Sequence, residues 1–576
     1  MSTTTLRLPL LAAFLITPAL PQSPIWPQWA QNPQHTGDVS VIGQAMNRNL
    51  VNLVYDPLVP SEQAANGGEL LAHYQAPLVD GDDVFMMFKS GTYNVHQYST
   101  QKWGENRFTW VNGNLVQQWS YLSDWSPPGS AIDFWEPVFH PLLSGQFVYV
   151  PGSAGSIVKL NRSNGSVAAT IQPFPDWNQN RFTASPLTVD SAGNVYYNVV
   201  QIQSNADFFS QDVVDSWIVK VTASGTATKA SYPALLPNAP KGTDLCLATF
   251  SNSQLPWPPS PTAIPPSVTC GTQRAGLNVA PAVAPDGTIY SVTRAHLISR
   301  YGYLVAIKPD LTLKWAASLR DRFHDGCRAT LAGAGNLPVD GSPGGCRVGA
   351  NPGVDPASNR PGDGRVNDSA SSTPTIAPDG SIFYGAYSRY NWDQGHLMHF
   401  ASDGTYLGDY NFGWDSTVAI YPHGGTYSVV IKDNRYSGLG SYCDVDSICP
   451  TDRTLTNPTS PEAYFITQLS PSLTVEWRFQ NTNTQSCSRN SDGSVTCVSD
   501  HPHGFEWCVN APMIDGNGVV YANSEDGNLY SINQGGGLRQ NIFQQLALGA
   551  AYTPTSIGTD GKIYSQNAGH LFVVGQ

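Results

Sequence analysis

One stretch constrains what this chain can become: Ala280 to Trp315, APAVAPDGTIYSVTRAHLISRYGYLVAIKPDLTLKW. A small residue and a proline open it, an Asp-Gly turn follows, and a β-rich run ends at Tyr290. A second run covers Tyr303 to Lys308, a turn sits at Pro309–Asp310, and a last short run closes on Trp315. Apolar positions that alternate between turn residues describe half-buried strands joined by hairpins. About four strands result, one small twisted sheet that cannot bury both of its faces. Such a unit is stable only beside copies of itself.

The chain supplies the copies. They follow Ala76-Pro77, Glu136-Pro137, Ser185-Pro186, Thr373-Pro374, Ala511-Pro512 and Thr553-Pro554, each leading into a short run and a Gly turn. A degenerate copy, Thr417 to Tyr427, has Val418 where the proline should stand. With the copy at Ala280 there are eight. Several units end on a Trp after a polar residue, at Trp119, Trp315 and Trp477. Repetition of a four-stranded unit with this punctuation predicts an all-β fold, an eight-bladed β-propeller of antiparallel blades. Asn49 to Tyr55 reads as a strand without a hairpin partner, and the last unit, Tyr552 to Val574, stops before its closing strand. The N-terminal strand is therefore expected to complete the last blade, leaving no free sheet edge.

The unit resembles the repeat of the quinoprotein-like propellers, the PQQ-like repeat family. The opening Trp26-Pro27-Gln28-Trp29, followed by Asn32-Pro33-Gln34-His35-Thr36-Gly37, is similar to the entry segment of secreted members. The resemblance covers nearly the whole chain and implies the fold. It does not imply one activity, because the fold hosts dehydrogenases, assembly scaffolds and binding proteins. Dehydrogenases of the family use adjacent cysteines, a Trp stacked on the quinone, and calcium held by Glu, Asn and Asp. This chain has no adjacent Cys pair, and its repeats lack a docking Trp in every blade. Catalytic use of PQQ is not expected.

Charge and cysteines narrow the setting. A formal charge of −13 argues against nucleic acid, whose phosphates need a basic surface. The first residues carry one Arg and an apolar core from Leu8 to Ile16, too short to span a bilayer and suited to a secretory signal, taken as residues 1–22. The remainder, 23–576, is expected to be one propeller, exported and monomeric, with no membrane span. Nine cysteines fit an oxidising compartment. Their order suggests Cys246 with Cys270, Cys327 with Cys346, Cys443 with Cys449 and Cys487 with Cys497, leaving Cys508 free. Four insertions interrupt the repeat: Tyr232 to Gly276, Leu319 to Ala370, Tyr436 to Pro461 and Asn481 to Trp507. No helix of convincing amphipathic length is expected.

Candidate site residues lie at strand ends and in the insertions. Lys89, Arg294, Arg389 and Lys432 fall after comparable strands of four blades, with Tyr387, Tyr390 and Trp392 nearby. On one mouth of the ring they would bind an anionic or carbohydrate ligand, through bidentate Arg and stacking aromatics. Solvated rim charges are the plain alternative. Glu136 stands where other blades carry a small residue; it is a lone channel carboxylate, or the partner of a nearby Arg. Asp355, Asn359, Asp363 and Asp368 share one loop and could hold calcium. Otherwise no cofactor is expected.

Two functions from different classes follow. The first is an exported binding or scaffold protein, for a carbohydrate, an anion or a protein partner. The second is a lyase or hydrolase on a uronate-containing polysaccharide, in which a cation neutralises the carboxylate while Tyr387, His423 or His503 moves the proton. A redox quinoprotein is a minor third. Convergence of the candidate side chains in one pocket separates the first two.

Overall fold

A computed structural model describes residues 25–576 apart from 96, 128–135, 205–207, 330–336, 343, 389–394, 413–415, 436–462, 491 and 550–552. All eight predicted sheets form, each antiparallel. The fourth blade, for example, pairs Ala282–Val283 with Ile289–Ala295, then Ile298–Ile307, then Leu313–Ser318. In the third and fourth blades the innermost strand is split, with Arg181–Thr183 and Gln273–Ala275 as extra segments. The turn between first and second strands follows from its residues. Asp286 accepts the backbone N–H of Thr288 at 2.9 Å while Gly287 takes φ +81°, and Asp379 does the same for Ser381.

Arg48–Val54 pairs antiparallel with His570–Gly575, so the first strand in sequence is the outermost strand of the eighth blade. The ring closes as its two ends predicted. The expected signal peptide lies outside the described residues.

Neighbouring blades are joined in two ways. Outside, a Trp on an outermost strand reaches the turn between third and fourth strands of the next blade. The Trp119 indole donates to Arg162 O at 2.7 Å above Gly165, Trp315 donates to Ser402 O at 2.9 Å above Gly404, and Trp477 covers Gly536. Inside, buried amides and hydroxyls stitch one blade to the next. Gln566 donates to Gln75 O, Asn198 to Val279 O, and Asn523 to the Thr553 hydroxyl. Apolar residues fill the sheet-to-sheet layers between these two belts.

Three of the four expected disulfides join: Cys246–Cys270, Cys327–Cys346 and Cys487–Cys497. Cys443 and Cys449 lie outside the described residues. Cys508 is free and buried. Two hairpins stand apart from the blades, Leu245–Leu247 with Ser267–Thr269 and Gln485–Arg489 with Val495–Ser499. A seven-residue helix, Val59–Ala65, precedes the first blade, and the fold is nearly all β, as expected. Pro60 in its first turn is preset for helical φ and has no N–H to leave unpaired. Among the described residues no helix is long and apolar enough to cross a membrane.

Candidate binding faces of the ring

Lys89, Arg294 and Lys432 lie on equivalent second strands, Asp83–Gly91, Ile289–Ala295 and Thr426–Arg435. Equal strand direction carries them toward the same end of the channel, where Tyr387 also ends its strand, Ile382–Tyr387. Arg389, Tyr390 and Trp392 lie outside the described residues.

These cations are buried. Lys89 is 2% exposed, with its ammonium 2.7 Å from Glu136 Oε2 and 3.1 Å from Asp56 Oδ2. Burial works against that charge, but the carboxylates of Asp56, Glu136 and Glu62 outweigh it and hold the ammonium protonated. Burial pushes the Glu62 carboxyl up to about 8, with Lys89 opposing. Glu136 is thus paired with a lysine and not with the expected arginine, and that lysine is one of the candidates. Arg294 and Arg274 share Asp368, at 2.9 Å and 2.8 Å. Burial would raise this carboxyl, yet the two guanidinium groups hold it well below the usual range. Lys432 is buried as well.

The expected calcium ligands are engaged separately. Asp363 and Asp355 both contact Arg300, at 2.5 Å and 3.2 Å. Asn359 donates to the carbonyls of Pro261 and Ala263, tying the second insertion to the first. Among the described residues no group of three or more His, Cys, Asp or Glu is placed to hold a metal ion.

The chain also crosses this end of the channel. The His73 ring sits between Glu136 O, which enters the second blade, and Ser369 O at 3.1 Å, which enters the fifth. Burial lowers the imidazole to about 4. In a closed ring of eight, the first and fifth blades face each other across the axis, so His73 bridges the opening.

The opposite end is closed by the lead-in, which meets the blades in order. Trp26 exchanges backbone hydrogen bonds with Val79 of the first blade, and Pro27 O accepts from Leu143 of the second. The Gln28 amide pairs with Val189 of the third. Pro33 O accepts from Val283, Gln34 O from Ile376, Thr36 O from Ile420 and Gly37 O from Ile514. Gln44 N then donates to Gly561 O of the eighth. Between the third and fourth contacts the strap turns inward, and Trp29 and Ala30 pack on Ala280 and Ala511. This explains two of the small residues before the opening proline: a larger side chain there would displace the strap.

The proposed proton-moving residues do not meet. Tyr387 ends a second strand at the His73 end, whereas His423 stands at the turn-side end of Ala419–His423, paired with Thr426. His423 hydrogen-bonds Ser428 at 2.8 Å and stacks on Tyr421. His503 is exposed in the loop before the seventh blade.

An open groove of about 810 Å³ does exist, on the strap side. Gln31, Asn32 and Gln34 of the strap form one wall, and the first turns of the second, third and fourth blades form the other. Asp190, Ser191, Asn194, Tyr196 and Lys220 contribute to its floor and rim. The Tyr196 hydroxyl donates to Asp190 at 2.8 Å, fixing both groups.

Comparison of sequences finds no matching family model and no matching curated protein. Solved structures do match. A europium-containing methanol dehydrogenase has 11% identity and a TM-score of 0.45, over 94% of this chain and 89% of that one. The quinohemoprotein alcohol dehydrogenase from Comamonas testosteroni has 11% identity and a TM-score of 0.48, over 97% and 82%. BamB from Moraxella catarrhalis has 10% identity and a TM-score of 0.39, over 88% and 96%. Eight four-stranded blades closed by an N-terminal strand are consistent with a PQQ-like propeller. The strap escaped the sequence reading, because its polar, turn-rich residues carry no strand period. The signal was the small residue before two of the opening prolines, Ala280 and Ala511.

Proposed function

We propose that this chain is an exported binding or scaffold propeller that takes its ligand in the strap-side groove and not in the channel. One observation carries the reading: the chain's own segments cross both ends of the channel, and Lys89 and Arg294 are held in buried ion pairs there. An anion-attracting mouth needs cations that face solvent. The groove offers hydroxyls, amides and the edge of a tyrosine, groups that exchange hydrogen bonds with sugar hydroxyls. A neutral carbohydrate is the ligand class this favours, and three disulfides suit an exported protein.

A glycan array read with the full chain and with Ser191→Trp tests this. Ser191 is exposed at the groove rim, so an indole there would fill the groove without entering the core. Neutral oligosaccharides should bind the parent chain, and the variant should lose about tenfold or more in affinity at an unchanged melting temperature. Equal binding by both chains, or binding confined to acidic glycans, would refute the groove.

A further inference from the structure

The strap is bound as a ligand is bound. Residues 26–39 reach the first seven blades, one after another, through backbone groups and two glutamine amides, before Gln44 meets the eighth. Its own backbone is shaped to do so: Ala30, Gln31 and His35 take φ of +45°, +77° and +62°. Non-glycine residues hold such angles only where surroundings over-determine them. The His35 ring is fully buried, with Nδ1 2.9 Å from Pro374 O of the fifth blade. Trp29, 1% exposed, fills the centre beside His140 and the two alanines. Recognition is therefore spread evenly round the ring, with one aromatic anchor on the axis.

We propose that the base of the ring is a peptide-recognition site, occupied in cis by residues 26–39, that accepts the same segment in trans from a second copy of this chain. The specificity is steric as well as polar. Ala280 and Ala511 leave room for the Trp29 and Ala30 side chains. Gly37, with φ +65°, lies against the backbone of Pro512, where an added Cβ would be 2.7 Å from the carbonyl oxygen. A peptide lacking the Trp, or carrying a side chain at the glycine, does not fit.

The test keeps the whole chain. A protease sequence inserted after Ser40, which is exposed, allows the folded protein to be cut so that the strap is held by contacts alone. The cut strap should remain on the ring through gel filtration. Excess labelled peptide of residues 25–40 should replace it, and a Trp29→Ala peptide should compete about tenfold less well or worse. If cutting unfolds the ring, refolding only with added peptide gives the same support. Loss of the strap from a ring that stays folded, exchange as fast with a scrambled peptide, or unfolding that the peptide does not reverse would each overturn the proposal.

Discussion

Lys89 and Arg294 show how position and role separate at single residues. Their spacing along the chain placed them on equivalent strands, and that much was legible in the sequence. Their partners were not, because Asp56, Glu136 and Asp368 come from other blades and loops, and pairing across a closed ring leaves no local pattern. Glu136 was noticeable only as the one acidic exception to a small-residue rule. Burial gives these pairs an asymmetric energetics: an intact pair adds little, whereas removing one member strands a charge. Asp368→Asn should destabilise the fold by about 3–5 kcal/mol in denaturant titrations, since it leaves Arg274 and Arg294 facing each other without a carboxylate. Adding Arg294→Met to that variant should recover part of the loss. A single-variant cost under about 1 kcal/mol would mean that solvent already screens the site.

Blades, turns and insertions follow rules visible in the chain to different degrees. The first turn was readable from Asp-Gly, and the closing Trp from its place after a polar residue. What the Trp rests on was not, because it lies in the next blade. The structure supplies a matched comparison. Gly404 and Gly225 occupy equivalent turns, between third and fourth strands, at φ +89° and +93°. A Cβ on Gly404 would lie 2.8 Å from the Trp315 ring, whereas one on Gly225 meets nothing within 4 Å. Alanine at either position bears the same backbone strain. Gly404→Ala should cost about 1–3 kcal/mol more than Gly225→Ala, from the displaced indole. Equal losses in thermal melts would show that Trp315 does not anchor the blades.

Proton binding belongs to the scale of the whole molecule, because the groups that dominate it are spread over the ring. Burial lowers His35, His73 and His140 to about 4, and His296 to about 3 with help from Arg274 and Arg294. Each takes up a proton on unfolding below about pH 6.5, so each makes stability rise with pH up to there. Burial raises the carboxyls of Glu62, Glu105, Glu136 and Glu525, so each releases a proton on unfolding above about pH 4.5 and makes stability fall with rising pH. Between about 4.5 and 6.5 the two sets oppose each other. Above that only losses remain, joined by His396. Burial opposes its charge, but Asp325 and Asp409, at 2.9 and 2.7 Å, raise it to about 10. Its stabilisation is complete below pH 6.5 and declines as the pH rises toward 10. The melting temperature should therefore form a plateau near pH 4.5–6.5 and drop on the alkaline side. A higher melting temperature at pH 8.5 than at pH 6 would contradict this balance.

The joining of Arg48–Val54 to His570–Gly575, with the strap laid across all eight blades before it, has a consequence for biosynthesis. Arg48–Val54 meets its partner strand only after the seven other blades have been made, so its sheet edge stays open until then. A chain broken off by premature termination keeps an open sheet edge, an unfilled base and an exposed Trp29. Quality control can recognise it by those features alone, whichever blade is missing.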